Sequence, residues 1–203
     1  MVWRESPAAV PRLSSELATE TNMNQERVLT RLTTFEGSAP YMYRCTGGEV
    51  TAGIGHALIN SFEAVKLNWR VGGRAAVPME VTGDFDKVTA APEGLLAPHY
   101  ESLTACRLAA EDIARLANED IARFQSALIA AFPAWPSFPE PVQEALFDMA
   151  FNLGMAGLGK FVKLLAAVEA RNWETAALEC HRQGVSDARN QEIASLFRQA
   201  LSR

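Results

Sequence analysis

From Glu101 onward the apolar residues of this chain recur every third or fourth position. Leu103, Cys106, Ala110, Ile113, Ala117, Ile121, Phe124 and Leu128 form one stripe with charges on the other face, a helical pattern. One break falls near Leu108 to Glu111, where LAAED reads as the start of a new helix. The segment FPAWPSFPEP (132–141) holds four prolines and reads as a loop. VQEALFDMAFNLG (142–154), LGKFVKLLAAVEARN (158–172) and WETAALECHRQG (173–184) then read as helices, each closed by Gly or Asn. A last helix is expected from about Asp187 to Leu201.

Ahead of this helical half the pattern differs. Asn24 to Phe35 reads as a short helix with Val28, Leu29, Leu32 and Phe35 on one face, ended by Gly37, Ser38 and Pro40. Tyr41–Cys45 and Val50–Ile54 are β-compatible, and TGGE (46–49) between them signals a hairpin. From Ser61 to Tyr100 the glycines and prolines leave an elaborated insert. A short helix at about Phe62 to Trp69 and a small strand pair in VPMEVTGDFDKV (77–88) are expected there. Strands in one part and helices in the other make an α+β class. The expected layout is an extension or linker over 1–23 and one domain over 24–203. That domain divides into a first helix with a small β lobe and insert (24–100) and a helical lobe (101–203).

The chain has 203 residues, of which 48% are hydrophobic, enough for one globular unit with a real core. Its longest apolar runs, such as ALIAAF, are far too short to span a bilayer. The first residues lack the apolar core of a signal peptide, so export is expected through lysis or a carrier. The Pro/Ser/Ala-rich start would also suit a domain cut from a longer protein. A net charge of −5 argues against nucleic acid. Cys45, Cys106 and Cys180 show no CxxC spacing, and His56, His99 and His181 are scattered without HExxH. Neither a disulfide framework nor a metal site is expected.

The chemistry sits in FEGSAPYMYRCTGGEVTAGIGH (35–56). Glu36 stands where a helix gives way to a hairpin, a place for a carboxyl at the floor of a cleft. A partly desolvated Glu can donate a proton to a leaving oxygen. Glycoside cleavage needs such an acid and, across the sugar, a group that activates water or attacks directly. On composition and position alone, an ordinary helix-end carboxylate on the surface is the favoured reading.

The order Glu36-Gly37, Tyr43, Thr46, Gly48, Thr51 and Gly53-Ile54-Gly55-His56, ungapped, resembles the phage-type lysozymes, glycoside hydrolase family 24. FDMAFNLG (147–154) is similar to the family's central helix. WETAALE (173–179) and SDARNQEIASLFR (186–198) carry the likeness to the end. The insert at about 61–100 does not match well. The resemblance implies a bilobal fold with the cleft between the lobes. It implies muramidase activity on the β-1,4 bond between N-acetylmuramic acid and N-acetylglucosamine, with no cofactor. By position it makes Glu36 the proton donor and lets Thr51 hold the attacking water. It makes His56 a structural residue bonding within the small lobe and Arg189 the basic partner of Glu36. It puts Asp148 and Asn152 on the helix wall facing the sugar, where the family more often has neutral amides.

Cys45 departs from the aspartate usual in the family, and three readings stay open. The thiol can act as a thiolate nucleophile. A free thiol ionises at roughly pH 8.5, so this needs a cation nearby, and Arg44 next along the strand points to the other face. Alternatively the thiol is a neutral residue while Thr51 and the turn carboxylate Glu49 handle water. In the third reading the site is dead and the fold binds glycan, an alternative alongside a chitin- or chitosan-type hydrolase.

The expected partner is the glycan strand of peptidoglycan. A delivery protein or secretion machinery and a cognate immunity protein are expected if the chain is an antibacterial effector rather than an endolysin. Neither membrane nor nucleic acid is expected, and a monomer is. Trp69, Trp135 and Trp173 read as core or loop anchors, with Trp135 in the proline loop as the candidate for stacking on sugar. Cys106 and Cys180 read as buried thiols on helical stripes, and His99 and His181 as surface residues. Lys66 and Arg74 are available to glycan, though nothing singles them out.

Overall fold

The computed structural model describes residues 23–45 and 47–202. All of the expected extension except Met23, and Thr46 of the hairpin turn, lie outside the described residues.

Helix α1 (Gln25–Glu36) starts on Asn24, whose side chain accepts the Arg27 amide at 3.0 Å. It buries Val28 and Leu32. It stops because Gly37 turns left-handed, φ 73°, and returns its amide to the Thr33 carbonyl at 3.1 Å. Glu36 is therefore the last helical residue, facing the start of the sheet.

Strands β1 (Ala39–Arg44), β2 (Val50–Gly53) and β3 (His56–Leu58) form one antiparallel sheet in chain order. Tyr43 pairs with Thr51, and Thr51 with Ala57, so these three side chains share one face. Cys45, two residues beyond Tyr43, follows that face. Arg44 lies on the other. The sequence shows the first two strands; β3 has three residues, too few for an alternating pattern to declare itself.

The insert is more regular than its glycines and prolines imply. It runs through α2 (Ser61–Val65), a small hairpin of β4 (Arg70–Val71) and β5 (Arg74–Ala75), α3 (Pro78–Ala90) and α4 (Pro98–Glu101). The strand pair expected over 77–88 is instead α3. Pro78 opens that helix, the Glu80 carboxylate accepts the Val77 amide at 2.9 Å, and Val81, Asp84 and Val88 turn inward. The buried stripe contains an aspartate, and this hid its period. Asp84 accepts the amides of Ala105 at 2.6 Å and Cys106 at 2.8 Å, with Lys87 at 3.0 Å. Those bonds hold 102–109 out of a helix. The stripe beginning at Leu103 is thus not helical until α5 (Ala110–Ala131). Cys106, though fully buried, lies outside any helix or strand. Burial first, then its bond to Asp84, pushes its thiol up to about 12.

In the helical lobe, α6 (Glu140–Leu158) is the centre. It packs against α1, α5 and α9 (Asp187–Gln199), and every residue from Pro141 to Ala150 is buried. Its last turns bend at Gly154, φ 70° and ψ 163°. Helices α7 (Val162–Glu169) and α8 (Trp173–Glu179) close the lobe against α9. Phe132, Trp135, Phe138 and Trp173 stack edge-on or tilted beside them. Trp135 is wholly buried there, so the proline loop presents no ring to a sugar. Trp69 and Trp173 are buried as well, and His99 and His181 are exposed. Among the described residues no single helix is long and apolar enough to cross a membrane.

Asp84→Ala strands two backbone amides and should lower stability by roughly 2–4 kcal/mol in denaturant unfolding. Burial alone would raise the Asp84 carboxyl. The Cys106 amide, Lys87 and the Ala105 amide reverse this and hold it below the ordinary aspartate range. Its contribution is therefore present above the unfolded value, roughly 3.9, and lost as pH falls through the lower native one. The gap between wild type and Asp84→Asn should shrink as melts are taken from about pH 5 to about pH 2.

Candidate active site

A cleft of about 600 Å³ opens between the sheet and the helical lobe. Glu36, at the end of α1, lines it beside the sheet face carrying Tyr43, Thr51 and Ala57. Cys45 and Glu49 line the same cleft from the turn. Opposite lie Arg123 and Phe124 of α5, Phe151 to Gly154 of α6, and the loop 183–185. The two lobes touch near Gly55, where an added Cβ would lie 3.0 Å from the Phe151 ring and 3.5 Å from Glu36 Cγ.

Glu36 is held from behind. Its Oε1 accepts Arg189 Nη1 at 2.7 Å. Arg189 reaches it from the first turn of α9, which Ser186 caps by accepting the Arg189 amide at 3.3 Å. The guanidinium also donates through Nε and Nη2 to Asp148, at 3.1 Å and 2.9 Å. Burial alone would loosen the Arg189 proton; the Asp148 and Glu36 carboxylates more than offset this. Asp148 takes a second cation, Arg182 Nη1, at 2.9 Å. That same nitrogen donates to Asn152 at 3.2 Å.

These distances correct one expectation. Asp148 does not face the sugar: its side chain is 1% exposed and enclosed by two arginines. Arg182 and Arg189 compensate its buried charge. Asn152 does line the cleft, one turn further along α6. Arg182 was not legible from its surroundings, CHRQG, which show no period. The available signal was Asp148 itself, an acid on an apolar helix that demands a counter-charge. Among the described residues Arg182 Nε and Nη2 have no partner, and burial pulls the group below the ordinary guanidinium range.

His56 is also corrected. Its Nδ1 meets Asp120 Oδ2 at 2.7 Å, and Asp120 belongs to α5. The bond therefore joins the two lobes rather than bracing the small one. Arg123 Nη2 holds the other Asp120 oxygen at 2.8 Å.

On the sheet side, Cys45 Sγ donates to Glu49 Oε2 at 3.3 Å, and Thr51 Oγ1 donates to the Glu49 carbonyl at 3.2 Å. Arg44 does point away, donating to the carbonyls of Gly48 at 2.8 Å and Ala91 at 2.9 Å and pairing with Glu93. Tyr43, to which the sequence assigns no role, has its phenol pushed up by burial and then by the nearby Glu36 charge. Lys66 and Arg74 pair with Glu63 and Glu80 within the insert. The described residues contain no group of three or more His, Cys, Asp or Glu placed to hold a metal.

The phage lysozyme family profile matches residues 33–200, a span that takes in every wall of this cleft. The chain belongs to the phage lysozyme family. It is thus placed among glycoside hydrolases that act on peptidoglycan, with the family's α+β fold of hairpin lobe and helical lobe. A comparison with curated proteins gives no match.

Removing Asp148 leaves the buried Arg182 without a carboxylate and Arg189 with Glu36 alone. Asp148→Ala should cost roughly 3–5 kcal/mol in denaturant unfolding. Arg182→Met, which leaves Asp148 its two-point contact with Arg189, should cost clearly less. Equal losses would count against this ranking.

Proposed function

We propose that the chain is a muramidase that hydrolyses the β-1,4 bond between N-acetylmuramic acid and N-acetylglucosamine in peptidoglycan. The observation that carries this is the position of Glu36. It lies in an inter-lobe cleft, pinned by Arg189, beside a polar cluster of Cys45, Glu49 and Thr51. Glu36 is the proton donor to the leaving glycosidic oxygen. Arg189 and, behind it, Asp148 fix the carboxyl in place. A fixed acid needs no reorganisation as the bond breaks. Thr51 and its neighbours hold the water that completes hydrolysis, and Asn152 offers its amide to the glycan from the α6 wall. His56 fixes the spacing of the lobes through Asp120. No cofactor enters this scheme.

The setting proposed is the cell wall, reached by lysis or by a carrier. As an effector the chain would be accompanied by an immunity protein, and an immunity gene beside its own would identify that role.

Digestion of purified sacculi should release new muramic acid reducing ends. Glu36→Gln should lower that release by roughly 10²–10⁴-fold while leaving the melting curve in place. New glucosamine ends would instead mark a different bond. Binding without new ends would mark a glycan-binding module.

A further inference from the structure

The second group of the reaction is not obvious from the usual positions, because Cys45 is a thiol. Its surroundings decide against a nucleophile. A thiolate needs a positive neighbour. The adjacent guanidinium, Arg44, is spent on Gly48, Ala91 and Glu93. Among the described residues, the one side chain hydrogen-bonded to Cys45 is the carboxylate of Glu49, at 3.3 Å. A thiolate there would face it as a like charge. A neutral thiol is a poor proton acceptor, whereas a carboxylate can accept a proton.

Glu49 is exposed, and its backbone is held at two points. Its backbone carbonyl accepts the Cys45 amide at 2.9 Å and the Thr51 hydroxyl at 3.2 Å. Its carboxylate lies over Gly47, where a Cβ would come within 2.9 Å of Oε2 and 3.6 Å of the Cys45 sulfur. That closeness leaves no room for a side chain at Gly47 with the carboxylate in place. Arg44 clamps the same turn from outside through the Gly48 carbonyl.

Thr51 adds a directional argument. Its hydroxyl proton is engaged with the Glu49 carbonyl, so towards a water in the cleft its oxygen can only accept. A water there would direct one proton to Thr51 Oγ1 and the other to the Glu49 carboxylate.

We propose that Glu49 is the catalytic base of this site and that Cys45 is a positioning residue acting through it. This rests on the muramidase reading above. Glu36 gives its proton to the glycosidic oxygen as the bond from the anomeric carbon to that oxygen breaks. The water oxygen bonds to the anomeric carbon, and Glu49 takes the proton that the water loses. One water is consumed, Glu36 ends ionised, and Glu49 ends protonated. Solvent returns both carboxyls to their starting states. The single displacement inverts the anomeric configuration.

The test measures reducing-end release from purified sacculi by wild type, Glu49→Gln, Glu49→Asp, Cys45→Ala and Gly47→Ala, with melting curves for each. Glu49→Gln should lower kcat by about 10²-fold or more, leave apparent KM near wild type, and abolish the acidic limb of the pH–rate profile. Glu49→Asp should keep that limb at reduced kcat. Cys45→Ala and Gly47→Ala, which only displace the carboxylate, should cost about 3–30-fold in kcat with the limb retained. Glu49→Gln activity within threefold of wild type overturns the proposal. So does a Cys45→Ala loss as large as that of Glu49→Gln. A wild type that releases no muramic acid ends instead overturns the muramidase reading itself, whatever the variants do.

Discussion

Two buried carboxylates on one apolar helix hold the helical lobe together. Glu144 and Asp148 lie one turn apart on α6, each 1% exposed at the side chain. Burying a charge costs several kcal/mol unless it is paired and hydrogen-bonded. Each carboxylate therefore requires cations, and the chain supplies them from other elements. Arg27 and Arg31 come from α1, Arg182 from the loop after α8, and Arg189 from α9. Arg31 continues to Glu192 on α9 at 2.6 Å. α1, α6 and α9 are thus cross-linked by charge in the middle of an apolar lobe. Glu36 stands at the free end of this network. The arginine that satisfies Asp148 also holds the Glu36 carboxyl.

That arrangement also separates two roles within one ladder. Asp148 and Arg182 are enclosed, and their contribution is to order and position. Glu36 is partly open, 23% exposed at its side chain, and meets the cleft. Arg189 touches both. Because two of its nitrogens serve Asp148 and one serves Glu36, its orientation survives changes at the cleft. Across the cleft the sheet performs the matching task with far weaker bonds: one thiol, one hydroxyl and the backbone of a tight turn.

The sequence made the main architecture legible where one period ran unbroken. The helix before Glu36, the first two strands and the helices after Glu140 all show their apolar faces plainly. It failed where a polar group occupied an apolar position. Asp84 interrupts the stripe of α3 and pulls the following segment out of helical form, so one residue misleads about two elements. Asp148 misled in the same way. As an acid it read as a cleft residue, although its place on α6 is on the buried side. That Glu36, Thr51 and Gly55 meet at one cleft was legible because those residues are close in sequence. Arg182, Arg123 and Asp120 enter through long-range contacts, and no local spacing announces them.

Gly55 is where this division of labour becomes mechanical. Bare backbone there rests on the Phe151 ring, with Glu36 directly behind it. The junction behaves as the fulcrum of a pair of jaws, and its thickness is that of one missing methyl group. A side chain at this point would act as a wedge, prying the sheet from α6 and carrying Thr51 and Glu49 away from Glu36. The gape of the jaws, held by the His56–Asp120 bond, thus also depends on the smallest residue in the protein.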